Sequence, residues 1–162
     1  MRQVRHQGGG AILVTFIVAL MLTIIPLPDA IETARPEWVA LVLIYWCMAT
    51  PQRIGVGFGW LSGLLLDVLK GSLLGQHALA LAVVAYLTLK FHQRLRVFPL
   101  WQQALMILVI LMLLKLLILW FDGIIGLPAK NWQYWLTPFT GMLLWPAIFL
   151  VLRELRRTFK VR

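Results

Sequence analysis

The chain has 162 residues, of which 61% are hydrophobic and 13% charged, and its formal net charge is +9. This composition lies far outside the range of soluble globular domains and excludes that class. A transmembrane helix takes about 20 apolar residues, and blocks of this kind nearly fill the chain. The sequence therefore predicts an all-α integral membrane protein without a folded domain outside the membrane.

Six apolar blocks, separated by short clusters of proline, glycine and charged residues, predict one membrane domain, a six-helix transmembrane bundle. The spans cover about residues 9–27, 37–51, 54–70, 73–91, 100–121 and 134–152. The first block follows a basic start, as in a secretory signal, but "PLPDA" lacks a cleavage pattern of small residues, so we expect an uncleaved span. The second and third spans are short and meet at a tight turn, "TPQR", because Pro51 would interrupt a continuous helix.

Lysine and arginine lie mainly on one side of the predicted spans. Of the 15 basic residues, Arg35, Lys70 and Lys130 fall on the other side, and Lys115 lies within a span. Positively charged flanks are retained in the cytoplasm, so we expect both termini to be cytoplasmic. Residues 153–162 form a basic cytoplasmic tail that suits anionic lipid headgroups. Nucleic-acid binding is the less favoured interpretation of the charge, and we expect no nucleic-acid partner.

Glycine recurs at four-residue intervals from the third span onward, with an aspartate in the one vacant place: Gly55, Gly59, Gly63, Asp67, Gly71 and Gly75. Steps of four trace a slowly winding ridge on a helix, so Gly59 and Gly63 lie in one sector. A backbone without side chains can approach another helix closely, which is a main source of helix association in lipid. We expect Gly59 and Gly63 to pack against another helix. Gly71 is expected to end the span, Gly75 to serve the turn and Ser72 to cap the fourth span.

Two charges lie deep inside predicted spans, Asp67 in the third and Lys115 in the fifth. Counted from the cytoplasmic ends of their helices, they lie at similar heights of about 20 and 21 Å. Because an unpaired charge in hydrocarbon is disfavoured, we predict an ion pair between them. Two alternatives for Asp67 are a carboxylate that caps or anchors the turn at Gly71 and a part in transport or proton transfer. The alternative for Lys115 is snorkelling toward the outer headgroups.

The sequence lacks the combinations of residues that enzymes need. Ser62, between glycines in "GWLSG", does not have the spacing of a nucleophile elbow. His6, His77 and His92 do not have the spacing of metal ligands. There is no phosphate-binding loop and no paired-carboxylate motif, and Cys47 is a single cysteine in an apolar block. We therefore predict a protein that is not an enzyme and has no catalytic, metal or cofactor site.

Residues 35–80 and 100–105 carry a specific pattern, "RPEWVALVLIYWCMATPQRIGVGFGWLSGLLLDVLKGSLLGQHALA" and then "LWQQAL". Its most specific parts are four. They are the opening of the second span (Arg35, Pro36 and Trp38), an aromatic pair (Tyr45 and Trp46), the turn after that span (Pro51, Gln52 and Arg53) and part of the glycine series (Gly63, Asp67, Gly71 and Gly75). This pattern resembles that of the MreD family of rod shape-determining membrane proteins in its gammaproteobacterial form. After about Phe121 the similarity is limited to hydropathy.

The resemblance implies a noncatalytic, multi-pass inner-membrane subunit of the elongasome that needs no cofactor and helps to build the lateral peptidoglycan wall. The implied partners are MreC, which is a single-span periplasmic scaffold, cytoskeletal MreB, the glycosyltransferase RodA and its class B penicillin-binding partner. It also implies a fold like that of the membrane-embedded substrate-binding components of energy-coupling-factor vitamin transporters. The alternative function is therefore that of such a component, which binds a vitamin for transport. Those components commonly have alanines four residues apart in the first span, whereas Ala11 and Ala19 are eight apart, which disfavours it. The least favoured function is that of an intramembrane hydrolase that uses Ser62.

Overall fold

The computed structural model describes residues 9–32, 34–52, 54–71, 74–126 and 132–158, and all secondary structure in these ranges is helical. The elements in chain order are α1 (Gly9–Ile24), α2 (Asp29–Glu32), α3 (Trp38–Ala49), α4 (Val56–Lys70), α5 (Gln76–Val97), α6 (Leu100–Ile125), a 3-10 helix (Trp132–Trp135) and α7 (Leu136–Thr158). The prediction of an all-α protein is confirmed.

Each of the six longer helices overlaps one predicted span, and their ends differ from the predicted ones for local reasons. α1 already ends at Ile24 because the prolines of "PLPDA" cannot continue the helical hydrogen bonding. α5 begins at Gln76 rather than at 73 and runs on to Val97, through residues predicted as a loop. Arg94 and Arg96 lie in its last turn, where positive charge stabilises the C-terminal end of a helix.

Two helices in the described part of the chain, α6 and α7, are long and apolar enough to cross a membrane, by length and composition. α1 and α3 are shorter apolar helices. Large apolar side chains are exposed on the outside of the bundle, among them Ile17, Leu61, Val109 and Leu143. Soluble monomers rarely expose extensive apolar patches, so these surfaces support a membrane protein. The six-span topology and the cytoplasmic termini stay predictions.

The longer helices pack as two rows of three, with α7, α3 and α1 in one row and α6, α5 and α4 in the other. α3 and α5 are the middle helices, and they pack against each other. Every residue from Val39 to Ala49 in α3 is buried. The reason is that α3 is apolar on all faces and is covered by α1, α5 and α7. The hydrophobic core therefore follows α3 through the centre of the bundle.

Candidate functional site

Asp67 lies in the last turn of α4 and caps the beginning of α5. Its carboxylate accepts hydrogen bonds from the backbone N–H groups of Gly75 (2.9 Å), His77 (2.9 Å) and Ala78 (3.3 Å). It also lies 2.8 Å from Nδ1 of His77. The first N–H groups of a helix have no partner within it, and they form the positive end of its dipole. The buried charge of Asp67 is thus stabilised by the neighbouring helix.

The predicted ion pair between Asp67 and Lys115 is wrong. Nζ of Lys115 lies 2.6 Å from Oε1 of Glu37, the residue that precedes α3. The two side chains are 9% and 11% exposed, so this is a largely buried pair. Asp67 and Lys115 lie on the outer helices of one row, α4 and α6, with α5 between them. Similar heights along the helices were therefore not enough to bring the two charges together.

The ammonium group of Lys115 also contacts Tyr134 in the 3-10 helix. It lies 4.6 Å from the centre of the aromatic ring, within the range of a cation–π interaction. The Tyr134 hydroxyl donates a hydrogen bond of 3.0 Å to the backbone carbonyl of Lys115. A buried ion pair stabilises a fold only when further contacts compensate for the lost hydration, and Tyr134 supplies such contacts. Lys115 thereby joins α6 to the start of α3 and to the segment before α7.

Gln76 and Asp122 form another buried contact at the same end of the bundle. Nε2 of Gln76 donates hydrogen bonds to Oδ1 of Asp122 (2.8 Å) and to the backbone carbonyl of Ile118 (3.1 Å). Gln76 and Asp122 are 4% and 6% exposed. This contact ties the first residue of α5 to the last turns of α6. We call the set of these side chains the polar end: Glu37, Asp67, Gln76, His77, Lys115, Asp122 and Tyr134.

Gly59 and Gly63 bring α4 close enough to α5 for Asp67 to reach the helix end. A Cβ atom on Gly63 would lie 2.4 Å from both the His77 carbonyl oxygen and Cα of Ala78. A Cβ atom on Gly59 would lie 2.9 Å from the carbonyl oxygen of Leu81. These distances are too short for any side chain. The predicted close approach of the glycine ridge to another helix is therefore made with α5.

Gly71 and Gly75 both adopt left-handed backbone conformations in the turn between α4 and α5. Gly71 has φ 67° and forms the C-terminal cap of α4, with its N–H bonded to the Asp67 carbonyl. Gly75 has φ 101° and immediately precedes α5. Both conformations favour glycine. The residue at the N-cap position is thus Gly75 and not the predicted Ser72, which lies outside the described residues.

Arg35 of the family motif caps the C-terminal end of α1. Its guanidinium donates hydrogen bonds to the backbone carbonyls of Thr23 and Ile25 and pairs with Glu32 at 2.8 Å. The last carbonyls of a helix have no partner within it and attract positive charge. Arg35 therefore holds the connection between α1 and α3 against the end of α1, a role that the sequence pattern did not indicate.

The other motif residues mark the ends of α3. Pro36 lies before the helix and Trp38 is its first residue, while Pro51 lies in the turn that follows it. Arg53 lies outside the described residues. The two prolines fit the ends of a short helix because proline interrupts helical hydrogen bonding.

The chemistry of the polar end is that of charge neutralisation and helix capping. Carboxylates accept hydrogen bonds from a helix end, from an amide and from an ammonium group. Within the described residues, no group of three or more histidine, cysteine, aspartate or glutamate side chains could hold a metal ion. This arrangement can fix the positions of α3, α4, α5 and α6 relative to one another.

An apolar groove of about 370 Å³ lies on the side of the bundle formed by α1, α3 and α7. α3 forms its floor through Trp38 and Val42, while Val18 on α1 and Ile148 on α7 belong to its two walls. Thr15 is the one lining residue with a polar side chain group apart from the Trp38 indole, and its hydroxyl accepts a hydrogen bond from Trp46. The groove is thus suited to an apolar occupant.

Comparison with known proteins gives one consistent result. The family model described as "rod shape-determining protein MreD" matches residues 5–155. The chain is 36% identical over 150 residues to the rod shape-determining protein MreD of Haemophilus influenzae (strain ATCC 51907 / DSM 11121 / KW20 / Rd), and the match covers 93% of each chain. No solved structure matches.

Proposed function

The chain belongs to the MreD family of rod shape-determining proteins, and from this premise we propose that it is a noncatalytic subunit of the bacterial inner membrane that helps to build the lateral cell wall. The family match over nearly the whole chain carries the proposal. It favours a role in rod shape over the alternative role as a vitamin-binding transporter component. The similarity of the fold to those components stays a prediction.

A noncatalytic role agrees with how the chain uses its buried polar groups. The charges of the polar end neutralise one another or cap helix ends, as Asp67 does for α5 and Glu37 for Lys115. Ser62 hydrogen-bonds to the carbonyl of Gly59 within its own helix, at 2.9 Å. These contacts support a rigid membrane subunit that acts through the surfaces it presents to partners.

The proposed partner in the membrane is MreC, through its single span, with MreB, RodA and a class B penicillin-binding protein in the same assembly. We place the MreC helix in the groove between α1 and α7. The groove is apolar, and its walls belong to two helices that are both at the edge of the bundle. A helix seated there would cover the exposed faces of Val14 and Val18 on α1 and of Val151 on α7.

Deletion of the gene in the host, followed by rescue with variants of the chain, tests the proposed function and the proposed MreC site separately. We expect deletion of the gene to give round cells and the wild-type chain to restore rods. Val18→Trp fills the groove and should impair both rescue and co-purification of MreC. Val109→Trp is the matched control, because Val109 is an exposed residue of α6 away from the groove.

The outcomes distinguish the proposed role in rod shape from the proposed binding of MreC in the groove. If the deleted strain keeps its rod shape, the proposed function is refuted. If deletion gives round cells but Val18→Trp restores rods and recovers MreC as well as Val109→Trp does, the function stands and the groove is not the MreC site. Equal amounts of each variant in the membrane fraction show that the comparison is valid.

A further inference from the structure

We infer that a pocket at the opposite end of the bundle from the polar end binds a phosphate group. The pocket has a volume of about 130 Å³ and lies among the ends of α3, α5, α6 and α7. Three arginines line it, Arg96 from α5 and Arg153 and Arg156 from α7. No carboxylate is among its lining residues in the described part of the chain. The inference goes beyond the proposed role in cell shape and does not depend on it.

Arg96 is fixed at the pocket by the end of α3. Its Nε donates a hydrogen bond of 2.7 Å to the carbonyl of Met48, and its Nη2 donates one of 2.8 Å to the carbonyl of Ala49. These are the last carbonyls of a helix, so the positive charge of Arg96 is held in place by the helix end. A guanidinium has five N–H donors, and these two bonds leave the Nη1 donors for a ligand.

The neighbouring side chains that line the pocket are uncharged, and two of them contact other groups of the bundle. The Tyr45 hydroxyl lies close to the guanidinium of Arg156, and this contact positions Arg156 at the pocket. Gln103 uses its amide to bond the Leu95 carbonyl (2.7 Å) and the Trp145 indole (3.3 Å), so it serves the helices. Three like charges around a small cavity repel one another, and an anion between them relieves this repulsion.

The size and the donor geometry indicate a phosphate group. A water molecule occupies about 30 Å³, so the pocket has room for about four. This is enough for a phosphate group, because its five heavy atoms are covalently bonded and take less space than separate molecules. Arginine binds phosphate through paired N–H donors in a planar fork. Basic pockets between transmembrane helices on the cytoplasmic side bind anionic lipid headgroups. In the proposed orientation this end of the bundle faces the cytoplasm, so either a lipid headgroup or a free phosphate can supply the group.

Binding measurements on the purified full chain in a phosphate-free detergent test the site. One arm titrates phosphatidylglycerol in mixed micelles, and the other titrates inorganic phosphate at constant ionic strength, each followed by the thermal unfolding midpoint. Arg153→Gln is the test variant, because the side chain is exposed and its loss should not affect folding. Arg157→Gln is the control, since Arg157 lies on the same helix, pairs with Glu154 at 3.3 Å and does not line the pocket.

We expect one of the two probes, phosphatidylglycerol or inorganic phosphate, to bind the wild-type chain. Arg153→Gln should weaken binding of that probe by about tenfold or more, as for the loss of charged hydrogen bonds. Arg157→Gln should change it by less than about twofold, as for a surface charge. Stabilisation by the lipid alone identifies a headgroup as the ligand, and stabilisation by inorganic phosphate identifies a free phosphate. Binding of neither probe, or equal weakening by the two variants, would overturn the inference.

Discussion

Replacement of Gly63 by alanine should separate α4 from α5 and thereby remove the cap on α5. The new Cβ would lie 2.4 Å from backbone atoms of His77 and Ala78, whereas ordinary contact begins at 3.4 Å. The helices must therefore move apart by about 1 Å. Since Asp67 now lies 2.9 Å from the His77 N–H and 3.3 Å from the Ala78 N–H, the same shift takes both beyond hydrogen-bond distance.

The expected cost combines two effects. Overpacking of a closely packed contact costs about 1–3 kcal/mol, and each hydrogen bond lost to a charged group costs about 1.5–3 kcal/mol. Overpacking and one lost bond already add to at least about 2.5 kcal/mol, which corresponds to a fall of at least about 5–10 °C in the unfolding midpoint of a chain of this length. Circular dichroism during heating of the purified protein in detergent measures this fall.

Gly57→Ala is the matched control for this prediction. Gly57 lies on the same helix, is exposed, and has no atom within 4 Å of the position that a Cβ would take. Alanine there should leave the midpoint unchanged or raise it slightly, because alanine has the higher helix propensity. If Gly63→Ala unfolds at the same temperature as Gly57→Ala, the packing of α4 on α5 does not position Asp67 and the reasoning is refuted.

Four further substitutions test the charged contacts by thermal unfolding, and one of them also by hydrogen exchange. Asp67→Asn should destabilise the protein by about 1–3 kcal/mol, because a neutral amide is a weaker acceptor for the helix end; an unchanged midpoint would contradict the capping role. Lys115→Met should cost about 3–5 kcal/mol by leaving Glu37 buried and unpaired. Addition of Glu37→Gln should recover part of that cost, and strict additivity of the two would exclude a direct pair. Arg35→Gln should lower the midpoint and expose the end of α1 to faster hydrogen exchange at Ile25, whereas unchanged exchange there would argue against the cap.

Local sequence features predicted much of the fold. The second apolar block predicted a short helix over residues 37–51, and α3 is a helix of 12 residues within that range. The spacing of Gly59 and Gly63 indicated close helix packing, and the structure supplies α5 as the partner. The position of Gly71 predicted the end of a helix, where its left-handed conformation is observed. Each of these features depends on one helix and its immediate surroundings.

The partners of the buried charges could not be predicted in this way. A residue count gives the height of Asp67 or Lys115 along its own helix, but it does not give the order of helices around the bundle. For Asp67, the alternative of a carboxylate that anchors the turn is closer to the structure, since its carboxylate accepts hydrogen bonds from the backbone N–H groups of Gly75 and His77. Backbone N–H groups carry no signature in the sequence, so the start of α5 could not be identified as the partner. Glu37 is an acidic residue at the start of a short predicted span, on the same side of the predicted bundle as the end of the fifth span, and this was the available signal for its pairing with Lys115.

Purification of the tagged protein from its own host in mild detergent, with the bound proteins identified by mass spectrometry, tests the central claim most directly. The proposed function predicts recovery of MreC together with RodA or MreB. Recovery of the coupling subunit and ATPases of a vitamin transporter in their place would contradict it.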